Sequence, residues 1–405
     1  MKLNIPYKPP RELESVIKSA VIGQPEGIKT LATALSAHLL RIKYAMENPG
    51  QELKKDNILI IGPTGCGKTE SIRTVIRELD LPIPLAVVSA NLLTASGWKG
   101  KETTSILADL LNASKPLVQK YASAFGLTSE LYKKDREQYK KKCTEAAVEF
   151  CSHGIIVLDE FDKIRIRPDG DGNEDFFPKM IQHELLKIIE GGSGFGEDSW
   201  ISKIDTTGIL FICAGAFSDL YEPEQPARQA TPVGFSADLG NSKKATENMP
   251  KTFTMPTSKD LVKLGYMPEL VGRLPIRTEF KELSEDTLFT ILQRSSISPV
   301  IDLKNLFEQA GHELAFTEQA LKVVARQAFK EKTGARGLRT VLSGKIYSVL
   351  YSLPDDDRYS VIVDADVFTN NAKPKINRIV DVDKGEENEW YEKMLYECEE
   401  SAPHF

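Results

Sequence analysis

The chain has 405 residues, of which 41% are hydrophobic and 27% charged, and at about 150 residues per domain it is long enough for two to three domains. This composition excludes wholesale disorder, and no apolar run reaches the ~18 to 20 residues that a membrane-spanning helix needs. The net charge of −6 argues against a dedicated nucleic-acid-binding protein, although it allows a local basic patch.

Cysteine usage and the N-terminus bear on the cellular compartment. The five cysteines form no CxxC pair, and the first residues lack the apolar core of a signal peptide. We therefore expect reduced thiols and a cytoplasmic protein.

The first half of the chain predicts alternating helices and strands. A helical stretch covers about Arg11 to Met46, and a polar break leads to an apolar run at Asn57 to Ile61. A glycine-rich loop follows, and Lys68 to Leu79 has the pattern of a helix. Later apolar runs without polar alternation lie at Leu85 to Val88, Gly154 to Leu158 and Gly208 to Ile212. Runs of this kind are typical of parallel strands covered on both faces by helices.

These patterns predict an α/β domain, with a parallel sheet flanked by helices, at 21–282, after an N-terminal extension at 1–20. From Leu283 helical patterns dominate, with one β-like run at Tyr359 to Val363, so a small, mainly helical domain is predicted at 283–368. Residues 369–405 form an acidic tail.

The loop after the first predicted strand has the composition of a phosphate-binding loop. Backbone N–H groups at glycines can turn toward phosphate oxygens at the positive end of a helix, a lysine can reach the β and γ phosphates, and a threonine hydroxyl can bind Mg²⁺. The residues that match this pattern in full are Gly62, Pro63, Thr64, Gly65, Cys66, Gly67, Lys68 and Thr69. The loop therefore predicts ATP as cofactor.

A second apolar strand ends in two carboxylates, Asp159 and Glu160. Asp159 is placed to hold Mg²⁺ together with Thr69, and Glu160 to orient and deprotonate a water molecule. The pair favours hydrolysis of ATP over nucleotide binding alone.

Beyond these two motifs, longer segments resemble the ClpX-type unfoldases of the Clp/HslU family of AAA+ ATPases, over about 21–366. Val21 and Ile22 stand in a segment similar to the one beside the adenine in that family. Arg273 stands where the family has its arginine finger, and Arg336 where it has the nucleotide-contacting arginine of the small domain. The resemblance implies a large AAA+ domain, a small helical domain and a homo-hexameric ring with ATP sites between subunits. The segment 209–217 matches the family's sensor-1 strand but offers no obvious Asn or Thr at its end, so sensor 1 is left unassigned.

The resemblance also places a substrate-gripping pore loop at Gly97, Trp98, Lys99 and Gly100. An exposed tryptophan can press against any extended polypeptide without reading its sequence. Lys99 departs from the aliphatic residue expected there and would add positive charge to the channel. The alternative is that Trp98 packs on its own domain.

A partner-docking loop region is implied at 222–256, where Val233, Gly234 and Phe235 stand in place of the tripeptide that docks ClpX-type rings onto a ClpP-like peptidase. Two apolar side chains on a loop suit hydrophobic pockets of a partner. The alternative is that this tripeptide folds back onto the surface.

Other features depart from the family. No cysteine-rich zinc-binding domain precedes Val21, and an extra segment at 112–136 either binds a substrate or partner or forms a surface helical hairpin. The segment from Asp381 to Glu400 contains nine acidic and two basic residues, so its net charge is −7. This part of the tail is either solvated or a docking helix with an apolar stripe of Trp390, Tyr391, Met394 and Leu395.

The sequence thus predicts an ATP-hydrolysing ring unfoldase that pulls polypeptides through its pore and delivers them to a ClpP-like peptidase, without peptidase activity of its own. Two alternatives stay open: a protease-independent remodeller of protein complexes, and a nucleotide-gated partner-binding protein. A membrane partner is not expected, and a nucleic-acid partner has only Lys99 in its favour.

Overall fold

The computed structural model describes residues 5–51, 53–94, 101–167, 176–196, 199–220, 254–354 and 357–379. They divide into two compact units after Thr287, and Thr333–Ala335 return to the first unit. The segment predicted as a pore loop at 97–100, the tripeptide predicted to dock a partner at 233–235 and the tail beyond 379 lie outside the described residues.

The helices are α1 (Pro10–Ala20), α2 (Pro25–Glu47), α3 (Lys68–Glu78), α4 (Ser105–Lys120), α5 (Ser129–Lys134), α6 (Arg136–Cys151), α7 (Phe176–Glu190), α8 (Ser258–Lys263), α9 (Pro268–Gly272), α10 (Glu285–Arg294), α11 (Pro299–Gln309), α12 (Glu318–Lys330), α13 (Ala335–Ser352) and α14 (Ala365–Thr369). The strands are β1 (Ile58–Ile61), β2 (Leu85–Ser89), β3 (Leu93–Thr94), β4 (Lys101–Glu102), β5 (Ile155–Asp159), β6 (Leu210–Gly215), β7 (Ile276–Glu279), β8 (Glu313–Phe316), β9 (Tyr359–Val363) and β10 (Lys375–Arg378).

The first unit is built on a five-stranded sheet in the order β2-β5-β6-β1-β7. All neighbouring strands are parallel, with Ile58 opposite both Ile212 and Ile276. Every residue of β1 and β6 is buried, as expected for strands covered on both faces. The predicted parallel α/β fold is therefore confirmed, and the carboxyl ends of the strands form one common edge.

The predicted helix from Arg11 to Met46 is wrong in one respect, because it is two helices. The break at 21–24 contains Gly23, whose φ of +85° an ordinary helical residue does not adopt, and Pro25 begins α2. Helix α1 buries Leu13 and Ile17 and packs on α2 and α3. The predicted extension at 1–20 thus contributes a helix to the first unit.

The extra segment at 112–136 includes the end of α4, a short 3₁₀ helix at Ala122–Phe125 and α5. Helices α4 and α6 pack together over an apolar cluster of their own. Its buried members are Val118, Leu127, Ala146, Ala147 and Phe150. The segment is therefore folded helical structure, and its predicted role in binding a partner stays a prediction.

The second unit is mainly helical around a small sheet in the order β10-β9-β8. Strand β9 has the bounds predicted from sequence and pairs in parallel with β8 and antiparallel with β10. Strand β10 lies within the range that the sequence assigned to the tail, so ordered structure continues at least to Arg378. None of the helices described is both long and apolar enough to cross a membrane.

His38 makes the stability of the first unit sensitive to acid. It is buried in α2, and its Nε2 lies 3.1 Å from the carbonyl oxygen of His153. Burial lowers its pKa from 6.5 to about 3, so the folded chain holds the ring neutral while the unfolded chain protonates it below about pH 6.5. The stability from this residue is complete above pH 6.5 and is lost as the pH falls toward 3.

We expect wild type to lose about 2 kcal/mol more of its free energy of unfolding than His38→Gln between pH 6.5 and pH 5, at about 1.4 kcal/mol per pH unit. Glutamine keeps a donor for the carbonyl of His153 but does not titrate. Urea unfolding at both pH values measures the difference, and the exposed His183→Gln is the control. Equal losses in wild type and His38→Gln would contradict the assignment.

Candidate ATP-hydrolysis site

The predicted phosphate-binding loop connects β1 to α3 at the carboxyl edge of the sheet. Gly65 and Gly67 have φ values of +76° and +98°, which residues with a Cβ rarely adopt. A Cβ on Gly62 would lie 2.1 Å from the carbonyl oxygen of Phe280, so this position also admits only glycine. The N–H of Gly62 donates to the carbonyl of Gly215 at the end of β6 (3.0 Å), which fixes the loop to the sheet.

Neighbouring segments hold the loop from outside. Val21 is buried against Gly67, where a Cβ would lie 2.6 Å from its Cγ1, and Ile22 beside it is half-buried. Gln24 donates to the carbonyl of Lys281 (2.7 Å) and accepts from the N–H of Lys281 (2.7 Å). Val21 thus lies at the loop, and the adenine contact of Val21 and Ile22 stays a prediction. The Gln24 side chain thus connects the start of α2 to the backbone just after β7, and no pattern in the sequence predicted this contact.

Lys68 begins α3 with its side chain folded over the loop. Its Nζ donates to the carbonyl oxygens of Gly62 (2.7 Å) and Pro63 (2.8 Å), and the residue is only 8% exposed. The Cys66 thiol is buried beside it, and burial raises the pKa of that thiol. The loop therefore presents a lysine ammonium group and keeps its cysteine protonated and unreactive.

Thr69 and Asp159 meet as predicted, although they are 90 positions apart in sequence. The Thr69 hydroxyl donates to Asp159 Oδ2 at 3.0 Å. A hydroxyl, a carboxylate and a lysine at the start of a helix are the groups that fit Mg²⁺ and nucleotide phosphates. Among the described residues no cluster of three or more His, Cys, Asp or Glu could hold a metal without further ligands. This donor set thus fits a cation shared with phosphate oxygens and water.

Glu160 follows Asp159 in a left-handed conformation (φ +55°, ψ +33°), which costs a residue with a Cβ on the order of 1 kcal/mol. Its N–H donates to Asp159 Oδ1 at 2.9 Å. Its Oε2 accepts a hydrogen bond from the Ser89 hydroxyl at 2.6 Å. Ser89 ends β2 directly opposite Asp159, so strand pairing brings it to this carboxylate. No motif in the sequence pointed to Ser89.

We expect Ser89→Ala to lower kcat for ATP about 10-fold with little change in KM, because one charge-assisted hydrogen bond that orients Glu160 contributes about 1.5 kcal/mol. Steady-state ATPase kinetics measure this, with the exposed Ser348→Ala in the second unit as control. An unchanged kcat would mean that the contact does not persist during turnover.

Arg273 is not brought to the phosphate-binding loop of its own chain. Its carbonyl accepts from the Asn57 side chain (3.0 Å), and Asn57 precedes β1, at the edge of the sheet opposite the loop. The four residues of β1 separate the two edges by about 13 Å. The exposed guanidinium group pairs with Glu190 at 2.7 Å, a contact that typically contributes 0–1 kcal/mol and is easily exchanged.

Arg336 is exposed in the first turn of α13 and forms no ion pair with any residue in the described ranges. The residues before it contact the loop, since the Ala335 N–H donates to the Gly65 carbonyl at 3.0 Å. The predicted contact of Arg336 with nucleotide stays a prediction. The end of β6 and the two residues after it, 213–217, contain no Asn or Thr, so sensor 1 stays unassigned.

The described residues on both sides of the predicted pore loop are anchored. Strands β3 and β4 pair in parallel, with Leu93 opposite Lys101. The buried Thr103 donates to Glu184 Oε2 on α7 at 2.6 Å. The residues described on either side of 95–100 therefore belong to two paired strands.

Comparisons with known proteins agree with this architecture. Residues 53–277 match the family model of the AAA domain (Cdc48 subfamily), and residues 283–361 match that of the C-terminal, D2-small domain of ClpB protein. The chain is 31% identical over 364 residues to the ATP-dependent Clp protease ATP-binding subunit ClpX of Porphyromonas gingivalis, covering 88% of this chain and 80% of the relative. It is 30% identical over 379 residues to the ClpX subunit of Treponema denticola, covering 91% and 83%.

The match to the AAA domain model covers more than half of the chain, and the similarity to the ClpX subunits extends over both units. The phosphate-binding loop, the paired carboxylates and the strand order lie within the matched region. The chain therefore belongs to the AAA+ family and is a ClpX-like ATPase.

Proposed function

We propose that the protein is a ring-forming, ATP-dependent unfoldase, with each hydrolysis site completed by a neighbouring copy. One observation carries the proposal: Lys68, Thr69, Asp159 and Glu160 converge at one edge of the sheet, whereas Arg273 is fixed at the other. A site that lacks its arginine within the chain can obtain one from a second copy, as in a homo-hexameric ring.

Each residue has a distinct task in hydrolysis. Lys68 binds the β and γ phosphates, and Thr69 with Asp159 holds Mg²⁺, which when bound offsets negative charge on the phosphate oxygens. Glu160 orients the attacking water and takes its proton. Arg273 of the neighbouring copy stabilises the charge that develops on the transferred phosphoryl group, and Arg336 couples the nucleotide state to movement of the small domain.

ATP turnover then drives polypeptide movement. Gly97 and Gly100 flank Trp98 and Lys99 in a loop that grips an extended chain inside the ring, and the Trp98 ring supplies contact area that does not depend on sequence. Relatives carry the name of a protease ATP-binding subunit. By analogy, Val233, Gly234 and Phe235 dock a ClpP-like peptidase that receives the unfolded chain.

The proposal is tested by capture of clients on Glu160→Gln. This variant is expected to bind ATP, stay assembled and release clients slowly, because the water is no longer activated. Affinity purification with ATP and Mg²⁺, with and without Phe235→Ala, is read by mass spectrometry. A peptidase that co-purifies and disappears with Phe235→Ala supports a degradation motor.

Two other outcomes identify the alternatives. Clients without any peptidase indicate a free-standing remodeller of protein complexes. A function that survives Trp98→Ala but is lost on deletion of 112–136 or 381–405 indicates a nucleotide-gated partner-binding protein.

A further inference from the structure

Helices α5 and α6 carry a group of cations that have no part in the predicted ATP site. Their exposed or half-exposed side chains form what we term the basic surface: Lys133, Lys134, Arg136, Lys140, Lys141 and Lys142. None of them forms an ion pair with a described residue, whereas Lys18 and Lys322 on other helices pair with acids one turn away. Two acids, Asp135 and Glu137, lie within 131–142. Asp135 caps the start of α6 by accepting a hydrogen bond from the Gln138 N–H at 2.9 Å.

Two tyrosines lie within this surface. The rings of Tyr132 and Tyr139 are packed edge to face with centroids 5.2 Å apart, and the Arg136 guanidinium group lies 5.2 Å from the Tyr132 centroid. Tyr132 is nevertheless 45% exposed. An ordered aromatic pair beside free cations offers both apolar contact and charge to a ligand.

A helix cap and apolar packing hold the two helices that carry the basic surface. The Thr128 hydroxyl caps α5 by accepting from the Leu131 N–H at 3.2 Å, and α6 buries Ala146, Ala147 and Phe150 against α4. Lys133 and Lys134 lie in the last turn of α5, where cations favour the helix dipole, whereas Arg136 and Lys140 lie one turn apart on α6 and repel each other. Their placement points to an anionic ligand.

We propose that the basic surface binds the acidic segment 381–400 of this polypeptide, from the same copy or a neighbouring one. The charge of the segment is −7, and that of 131–142 is 6 − 2 = +4. Trp390, Tyr391, Met394 and Leu395 supply apolar side chains for Tyr132 and Tyr139. The described chain ends at Ile379, and the 21 residues at 380–400 can extend by up to about 70 Å, so the test below distinguishes binding within one copy from binding between copies.

The charge of the whole chain favours this occupant over an outside one. Without 381–400 the net charge is −6 + 7 = +1, so this segment carries the charge imbalance of the protein. It is also covalently attached, which raises its effective concentration above that of a free partner. An acidic partner or a nucleic acid would have to displace it.

The test is zero-length cross-linking of the full chain with a carbodiimide, which joins lysine amines only to carboxylates in contact with them. We expect products between lysines of the basic surface and acids at 381–400, at least 5-fold weaker in about 0.5 M NaCl because salt screens exposed charges. Combining Lys133→Glu, Lys134→Glu, Lys140→Glu and Lys141→Glu should remove them, with ATPase activity and circular dichroism reporting that the fold is kept.

The matched control reverses four exposed lysines elsewhere, Lys259, Lys263, Lys304 and Lys330, and should leave the products unchanged. Mixing ¹⁵N-labelled and unlabelled protein separates products within one copy from those between copies. The proposal is overturned if acids at 381–400 form no products with the basic surface. It is also overturned if they form products with the control lysines equally well.

Discussion

Replacing Lys68 by alanine is expected to weaken ATP binding at least 100-fold and to abolish hydrolysis. The Lys68 ammonium group already lies at the loop, held by the carbonyls of Gly62 and Pro63, and would supply charge-assisted hydrogen bonds to phosphate oxygens. Losing two such bonds, at about 1.5 kcal/mol each, corresponds to about a 100-fold loss of affinity. Titration calorimetry or a fluorescent ATP analogue measures the affinity, and phosphate release measures turnover.

Controls separate this effect from a loss of structure. Lys55 also donates to a backbone carbonyl, that of Thr206 at 2.6 Å, but it lies at the opposite edge of the sheet. The variant Lys55→Ala should therefore bind ATP normally. Lys68→Arg keeps donors for the loop carbonyls, so it should fold well while its planar group fits the phosphates poorly. Wild-type affinity in a folded Lys68→Ala protein would contradict the assignment of the loop.

Mixing two inactive variants is expected to restore ATP hydrolysis. Arg273→Ala alone should lower kcat at least 100-fold, because its guanidinium group no longer stabilises the transferring phosphoryl group. Glu160→Gln alone should also lower kcat at least 100-fold, because it no longer deprotonates the attacking water. In a mixed ring, an intact Glu160 of one copy meets an intact Arg273 of the next at some interfaces. Equal amounts should regain about a quarter of wild-type activity if sites act independently and subunits mix at random.

The geometry makes this rescue a sharp test. The Arg273 backbone is fixed to Asn57, about 13 Å along β1 from its own phosphate-binding loop, so rescue within one chain is not expected. Glu190→Gln is a useful companion, because it frees the Arg273 guanidinium from its exposed partner and should leave kcat within about 2-fold of wild type. Activity of the mixture no higher than the sum of the two variants would show that Arg273 does not act between copies.

Features that depend on residues close together in sequence were predicted well. Strands β1, β5 and β6 follow from short apolar runs without polar alternation, and the loop follows from glycines and a lysine within eight positions. The predicted single helix across 11–46 failed because its apolar spacing continued past Gly23, where one positive φ breaks the helix.

Contacts between distant segments could not be predicted in this way. The bonds from Gln24 to Lys281, from Ser89 to Glu160 and from Asn57 to the backbone of Arg273 join residues 71 to 257 positions apart. Each depends on which strands are neighbours and on their register, and a single sequence does not reveal either.

The sequence by itself predicted the chemistry of this ATPase, because groups that are to bind phosphate and Mg²⁺ and to activate water must be of particular types at fixed spacing. It also determined the parallel α/β class, because fully buried strands must be apolar on both faces. The tertiary structure decided where those groups meet. The order β2-β5-β6-β1-β7 places Thr69 beside Asp159 and Ser89 beside Glu160, and it places Arg273 at the far edge. The physical reason is that a sheet keeps its two edges apart, so Arg273 lies far from the loop of its own chain, and we propose that it serves a neighbouring copy.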